Sequence, residues 1–387
     1  MAIEDLDKTI LFVDDEKPIL RALKRLFHPT SFTILLASTG MEALEILGEN
    51  KVDMVISDMR MPEMDGYELL SRVKVLYPEL IRIALSGYTD KKVVLSALKN
   101  NIAKIYMFKP WNNDEIVEII SGMFQFEAML KDKKILDLIS NISDIPTIPS
   151  LYQEVSRLIE EEASMEKIVD CIEKDQAIAA RILRIANSAY FGSKTGDIKQ
   201  AIMFIGLVNV NNIILSNAVY KVNGPNREAL QATWEHSNVT NRLLNHIYSK
   251  VIRKQLPNDY RSAGLLHNIG KVVLMNEKEK FYQQQDLEDQ TLVLRELEEI
   301  GVGHHQVSGY LLNWWELPLP LVESAFFHHH PMNEAIVNKE LVMAVHVAQY
   351  YASVMLGMVP EGDLYVEALV ALKMTREVML EAIEQLS

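Results

Sequence analysis

Two sets of residues have types and spacings that could do chemistry. The first is a group of carboxylates. Asp14 and Asp15 directly follow an apolar run, and Asp58 follows another, in Val-Ile-Ser-Asp-Met-Arg-Met-Pro-Glu-Met-Asp-Gly66. If those runs are parallel strands, the three carboxylates meet at one edge of a sheet. Like charges held so close repel, and one would protonate unless a cation offsets them. A hard ion such as Mg²⁺ suits oxygen ligands and keeps positions open for phosphoryl oxygens. Ser86 and Lys109, at the ends of two further apolar runs, add a hydroxyl and an ammonium that could hold those oxygens. An aspartate beside a metal and a lysine is well placed to attack a phosphoryl donor.

The second set is histidine. Only His28 lies in the first 122 residues, and the other nine lie beyond. His236, His267, His305, His328 and His329 each sit in an apolar, helix-compatible context. Five converging imidazoles would suit Fe, Mn or Zn. A two-metal phosphohydrolase also needs a carboxylate to bridge the ions. Here His-Asn-Ile-Gly-Lys271 carries the amide of Asn268 where that carboxylate would be most useful. Two readings stay open: a metal set, or histidines hydrogen-bonded within a core.

The elements that must position these groups follow from periodicity. Apolar runs at Thr9–Val13, Phe32–Ala37, Val52–Ser57, Ile81–Leu85 and Lys104–Phe108 alternate with amphipathic segments at Pro18–Phe27, Met41–Leu47, Tyr67–Leu76, Lys91–Leu98 and from Asp114 onward. Five strand–helix units predict a doubly wound α/β domain, a five-stranded parallel sheet covered on both faces, with functional groups at the carboxyl ends of its strands. Beyond residue 122, apolar residues from Met123 to Ile139 recur at near-helical spacing, which predicts an extension of the fifth helix to about Ile142. Asp144-Ile-Pro-Thr-Ile-Pro149 breaks it. The remainder shows helix patterns and no alternating strands. The expected domains are therefore 1–122, a linker helix over 123–143, and an all-helical domain over 144–387.

Composition narrows the function. The chain has 387 residues, 49% hydrophobic and 24% charged, with a net charge of −14. That field opposes phosphate neutralisation, so neither nucleic-acid binding nor transcriptional control through DNA contact is expected. One cysteine, Cys171, fits a reducing compartment, and the acidic N-terminal residues show no secretory signal, so a cytoplasmic location is expected. The uncharged stretch Leu341–Pro360 approaches the length of a membrane span, but His346, Gln349, Tyr350, Tyr351 and Ser353 would be costly in lipid, so a buried helix is expected. Glu160–Glu162 and Glu296–Glu299 read as solvated helix faces.

Residues 8–122 resemble a two-component receiver domain in Asp14-Asp15, Asp58 with its Met-Pro-Glu-Met-Asp-Gly continuation, Ser86-Gly87 and Lys109-Pro110. The resemblance implies that Asp58 is phosphorylated by a histidine kinase or phosphotransfer protein. It implies Mg²⁺ held by Asp14, Asp15, Asp58 and the backbone carbonyl of Arg60, with Ser86, Tyr106 and Lys109 as the switch residues. The second half resembles an HDOD domain, a helical relative of HD phosphohydrolases. The matching phrases include Ile-Pro-Thr-Ile-Pro149, Glu-Lys-Asp-Gln-Ala-Ile-Ala-Ala-Arg-Ile-Leu-Arg-Ile-Ala-Asn-Ser188, Ala-Ile-Met-Phe-Ile-Gly206, Gly-Leu-Leu-His-Asn-Ile-Gly-Lys271 and Val-His-Val-Ala-Gln349.

Carried over residue by residue, His236, His267, His305, His328 and His329 fall on metal-ligand positions of active HD enzymes, while Asn268 and Gln349 replace aspartates. The implied function is a phosphorylation-dependent response regulator whose degenerate output domain acts on a protein partner, with a residual transition metal at those five histidines left open but not expected. The alternative is a phosphorylation-gated, metal-dependent cyclic-dinucleotide phosphodiesterase, with Lys271 contacting phosphate. A homodimer through the apolar seam of the linker helix is compatible with either.

Overall fold

In the computed structural model, the described residues are 8–87, 102–140, 150–174, 176–186, 195–207, 209–211, 213–214, 227–257, 260–284 and 291–386. They form two compact units that divide between Ala128 and Met129, with the short segment Glu316–Leu319 grouped with the first. Elements are numbered in chain order among these residues.

The first unit holds β1 (Thr9–Val13), α1 (Lys17–Phe27), β2 (Thr33–Ala37), α2 (Gly40–Glu49), β3 (Met54–Asp58), α3 (Gly66–Leu76), β4 (Ile81–Gly87), β5 (Ile105–Lys109) and α4 (Asn113–Leu130). The sheet order is β2-β1-β3-β4-β5 and every pairing is parallel. The strands are near-continuous apolar runs because helices cover both faces. Each residue of β3 is buried. On α1, Pro18 occupies the first turn, where a missing N–H costs nothing, and Leu20, Leu23 and Phe27 bury one stripe. Asp65 caps α3 by accepting the Glu68 N–H at 2.8 Å.

β3, β4 and β5 end slightly later than their apolar runs, so Asp58 and Lys109 are the last residues of β3 and β5. The amphipathic segment Lys91–Leu98 lies outside the described residues, as do Ile145–Pro149.

The expected single helix from Asp114 to Ile142 is instead two. α4 ends at Leu130, and α5 starts afresh at Lys133 and runs to Ser140. The Lys131–Lys134 interruption of the apolar pattern marks the break. Asp132 sits in it and its side chain accepts the Lys134 N–H at 2.8 Å, a local alternative to the helical ladder. Phe124, Phe126, Leu130, Ile135 and Ile139 are buried within the chain, Met129 and Leu138 are half-buried, and Leu136 is exposed.

The second unit is helical throughout the described residues. α6 (Ser150–Glu160), α7 (Met165–Glu173), α8 (Gln176–Ala186) and α9 (Ile198–Ile205) enclose one core of Ile, Leu and Val. A second set carries the histidines. It comprises α10 (Arg227–His246, continued by a π-turn to Ile252), α11 (Ala263–Leu266), α12 (Ile269–Glu277), α13 (Glu279–Gln284), α14 (Leu292–Arg295, continued by a π-turn to Ile300), α15 (His304–Trp314), α16 (Leu319–Phe327), α17 (Lys339–Met355), α18 (Val366–Ala371) and α19 (Arg376–Leu386). α17 contains most of the uncharged stretch. It is buried on nearly every side and packs along α10. No helix among the described residues is long and apolar enough to cross a membrane.

Candidate functional sites

At the carboxyl edge of the sheet, Asp14, Asp15 and Asp58 bring carboxylate oxygens within 4.8 Å of one another. Asp14 is fully buried and Asp58 nearly so. The Lys109 Nζ donates to Asp14 Oδ2 at 2.6 Å and lies 2.9 Å from Asp58 Oδ2, so one ammonium bridges two carboxylates. Asp14 also accepts the Glu16 N–H at 2.9 Å.

Burial drives the Asp14 carboxyl up, and its bonds to Lys109 and Glu16 offset only part of that. For Lys109, burial favours the neutral amine, but hydrogen bonds to Asp14 and Asp58 outweigh it and the amine is held above its ordinary range. One lysine against three carboxylates leaves net negative charge in a partly buried, all-oxygen donor set. A hard divalent cation fits that chemistry. Ser86 is buried on β4, in register with Phe108 beside Lys109. Tyr106 is about one-third exposed, its ring edge-on to Phe108 at 4.8 Å.

Gly66 is dictated by close approach. A Cβ there would lie 2.0 Å from the Asp58 carbonyl oxygen, so α3 can start against the end of β3 only with glycine.

In the second unit, His236, His267, His305, His328 and His329 do converge. Ring centroids are 5.6 Å apart for His236–His267, 4.9 Å for His267–His328, 4.2 Å for His328–His329 and 5.6 Å for His305–His329. Gly270 allows α12 to reach α15, since a Cβ would meet the His304 carbonyl oxygen at 2.2 Å. Its N–H donates to the Ser308 hydroxyl at 2.8 Å.

The histidines are not equivalent. His236 Nε2 lies 3.0 Å from both the Gln349 carbonyl oxygen and the Ser353 hydroxyl, so that nitrogen is engaged in the core. His267 Nδ1 and His328 Nδ1 lie 2.7 and 2.8 Å from the carbonyl oxygens of Gly264 and Ala325. A carbonyl only accepts, so each Nδ1 carries the proton and each Nε2 presents a lone pair. Those two Nε2 atoms are buried without a hydrogen-bond partner, as are Asn268 Oδ1 and His305 Nδ1.

Burial pushes His236 down to about 4 and places His267, His305, His328 and His329 well below 6.5, with neighbouring imidazoles adding to the effect.

Three residues were not legible as part of this site. His304, next to His305 in sequence, is fully buried, and its Nε2 is 3.1 Å from His329 Nε2. Glu296, expected on a solvated face, is fully buried. It accepts from His304 Nδ1 at 2.8 Å, from the His304 N–H at 2.8 Å and from the Tyr282 hydroxyl. It follows buried Leu292 and Val293 at helical spacing and so shares their inward face, while Glu298 and Glu299 remain exposed as expected.

Glu361, in the loop after α17, pairs with buried Lys271, and its other oxygen is 3.7 Å from His304 Nε2. Burial would raise this carboxyl; Lys271 and His304 overcome that and hold it at about 2. Lys271 is thus occupied by a carboxylate of its own chain. The ring nitrogens that come within 4.8 Å of one another belong to His304, His328 and His329.

Two family models match the chain. Residues 10–121 match the response regulator receiver domain and residues 145–331 match the HDOD domain. A hydrogenase transcriptional regulatory protein, HoxA, of Cupriavidus necator is 32% identical over 136 residues, which is 35% of this chain and 28% of that protein. An uncharacterized protein of Treponema pallidum is 28% identical over 214 residues, covering 54% of this chain and 42% of that one. The chain therefore spans well under half the length of either relative. Among solved structures, an HDOD domain protein of unknown function from Geobacter sulfurreducens covers 67% of this chain and 89% of its own, at 20% identity and a TM-score of 0.49. With both matches in one polypeptide, the chain belongs to the response regulators that join a receiver domain to an HDOD domain.

Proposed function

We propose that Asp58 accepts a phosphoryl group from a histidine kinase or phosphotransfer protein, and that this switches an HDOD domain acting through protein–protein contact. The observation that carries the reading is the Lys109 ammonium, 2.6 Å from Asp14 and 2.9 Å from Asp58. An Asp58 oxygen forms a bond to phosphorus as the P–N bond of a phosphohistidine breaks, and the released imidazole takes a proton from solvent. Lys109 then moves from pairing with Asp58 to holding a phosphoryl oxygen, and the Ser86 hydroxyl donates to another. Tyr106, on the exposed side of β5, follows Ser86. Asp14, Asp15, Asp58 and the Arg60 carbonyl would hold Mg²⁺, which offsets the charge gathered there.

In the HDOD domain, Asn268 and Gln349 supply no bridging charge, and Lys271 is committed to Glu361. This favours a binding module over a phosphodiesterase. The site works as a cytoplasmic relay in which the partner reads the helical surface, and any homodimer contact on α5 must use its outer face.

The test is phosphorylation of the full chain with a small phosphodonor and Mg²⁺, read by phosphate-affinity gel and by hydrogen exchange across both domains. Asp58→Asn should abolish the phospho-form and the accompanying change in HDOD protection. Identical HDOD protection in phosphorylated wild type and Asp58→Asn would refute the switch. Cyclic-dinucleotide turnover that is lost in His267→Ala would establish the phosphodiesterase instead.

A further inference from the structure

We propose that the surface formed by the end of α17, by α18 and by α19 docks a basic amphipathic helix of a partner protein. The inference rests on the reading that the second unit acts through protein–protein contact, and it names the surface and the chemistry of that partner.

The uncharged stretch Leu341–Pro360 does not end where burial ends. Leu341 to Ser353 is buried apart from half-buried Tyr350, but Val354, Leu356 and Val359 reach the surface. α18 continues the pattern. Its Ala368 and Leu369 face inward, while Val366 and Val370, one turn apart, face outward, with Val370 at 70% exposure. On α19, Met379 and Ala382 are buried and Leu380 is exposed. Both helices pack on α17.

Among the described residues of the second unit, these six are half of the twelve large apolar side chains that stand exposed, although they all lie between positions 354 and 380. A single exposed apolar residue is ordinary, whereas a concentration of them marks an interaction surface. Met355 and Met358 are half-buried in the same segment, and their unbranched side chains can repack around a partner.

Charge selects the occupant. Asp363, Glu367, Glu377, Glu381 and Glu384 are exposed on α18, on α19 and in the turn before α18, against the exposed cations Lys373 and Arg376. Glu361 takes no part, because it is paired with Lys271. An apolar face with an acidic rim is complementary to a helix whose apolar stripe is flanked by lysine and arginine. The same rim opposes the other occupants. It repels phosphate backbones and anionic lipid surfaces. A second copy of the chain would set one acidic rim against another, because a two-fold contact pairs a surface with itself.

The experiment uses the full-length chain and, as probe, a fluorescein-labelled helical peptide of about 18 residues, with leucine at i, i+3, i+4 and i+7 and lysine on the flanks. Fluorescence anisotropy should show saturable one-to-one binding that weakens as ionic strength rises. Val366→Gln, Val370→Gln and Leu380→Gln together should weaken it by more than about tenfold without a change of charge. Met203→Gln with Phe204→Gln, which alters the exposed apolar pair of α9, should leave it unchanged. All five side chains are exposed, and equal melting temperatures confirm that both variants are folded.

Four results would each overturn the surface: no binding, undiminished binding in the triple variant, equal binding of a peptide with glutamate flanks, or loss of binding in the α9 variant instead. Dimerisation of the wild type that the triple variant abolishes would assign the face to a second copy, and binding to phosphatidylglycerol vesicles that it abolishes would assign it to lipid; either overturns the proposal. Anisotropy is read before and after phosphorylation of Asp58. Equal peptide affinity in both states would keep the surface and refute its control by the switch. No binding in either state, with HDOD hydrogen exchange still changed by phosphorylation, would overturn the surface and keep the switch.

Discussion

Glu361→Gln offers the sharpest test of how the second domain tolerates buried charge. The Lys271 and Glu361 side chains are 6% and 13% exposed, so solvent screens their pairing little. The fall of the Glu361 carboxyl from 4.5 to about 2 corresponds to about 3 kcal/mol of stabilisation at neutral pH. Removal of one partner from a buried pair costs about 3–5 kcal/mol by an independent route, because it strands the other charge. The two agree, and the expected loss is about 3 kcal/mol, or about 6–12 °C in the melting temperature of the helical unit.

The sign with pH follows from the lowered carboxyl. Its contribution is complete above pH 4.5 and fades as pH falls toward 2, so the gap between variant and wild type should be the same at pH 7 and pH 5. Urea and thermal melts of metal-stripped protein, followed by circular dichroism and tryptophan fluorescence, measure it. A paired change, Lys271→Met with Glu361→Leu, should recover all but about 1 kcal/mol, since no charge is then left unpartnered. A loss below about 0.5 kcal/mol in Glu361→Gln, or a double variant no more stable than the single one, would refute a desolvated pair.

Two further outcomes follow from the same structure. Stability of the helical unit should fall steeply as pH drops from 6.5 toward 4. His236 and His346 are held by burial at about 4, so the unfolded chain binds protons that the folded one refuses. Each contributes a loss of about 2 kcal/mol at pH 5, and melts at pH 7.5, 6 and 5 that superimpose would disprove the buried neutral core. Gly66→Ala should destabilise the receiver unit by about 2 kcal/mol or more and slow phosphorylation of Asp58, since the new methyl meets the Asp58 carbonyl. Unchanged urea midpoints and labelling rates would show that α3 can shift without cost.

The receiver half was largely legible in the sequence. Its strands are short apolar runs with acidic, hydroxyl and ammonium groups at their ends, and a parallel sheet places every strand end on one edge. Asp14, Asp58 and Lys109 therefore meet where local pattern says they must. The convergence of five histidines was also legible, through helix-compatible spacing and short phrases such as His-Asn-Ile-Gly-Lys271. The burial of Glu296 was not, because that segment has the charge pattern of an exposed helix and the partners that satisfy the carboxylate, His304 and Tyr282, are brought to it by packing.

Sequence by itself thus determined the order of elements, the carboxylate edge and the pool of imidazoles, since these depend on local periodicity and on side-chain type. Tertiary structure alone decided that α5 begins anew at Lys133, which nitrogens carry protons, that His304 stands among those imidazoles, and that Glu361 meets Lys271. The last pairing joins residues 90 positions apart. Chain packing, rather than any local preference, sets such a contact, and burial makes two ordinary surface residue types into a pair that neither can leave without cost.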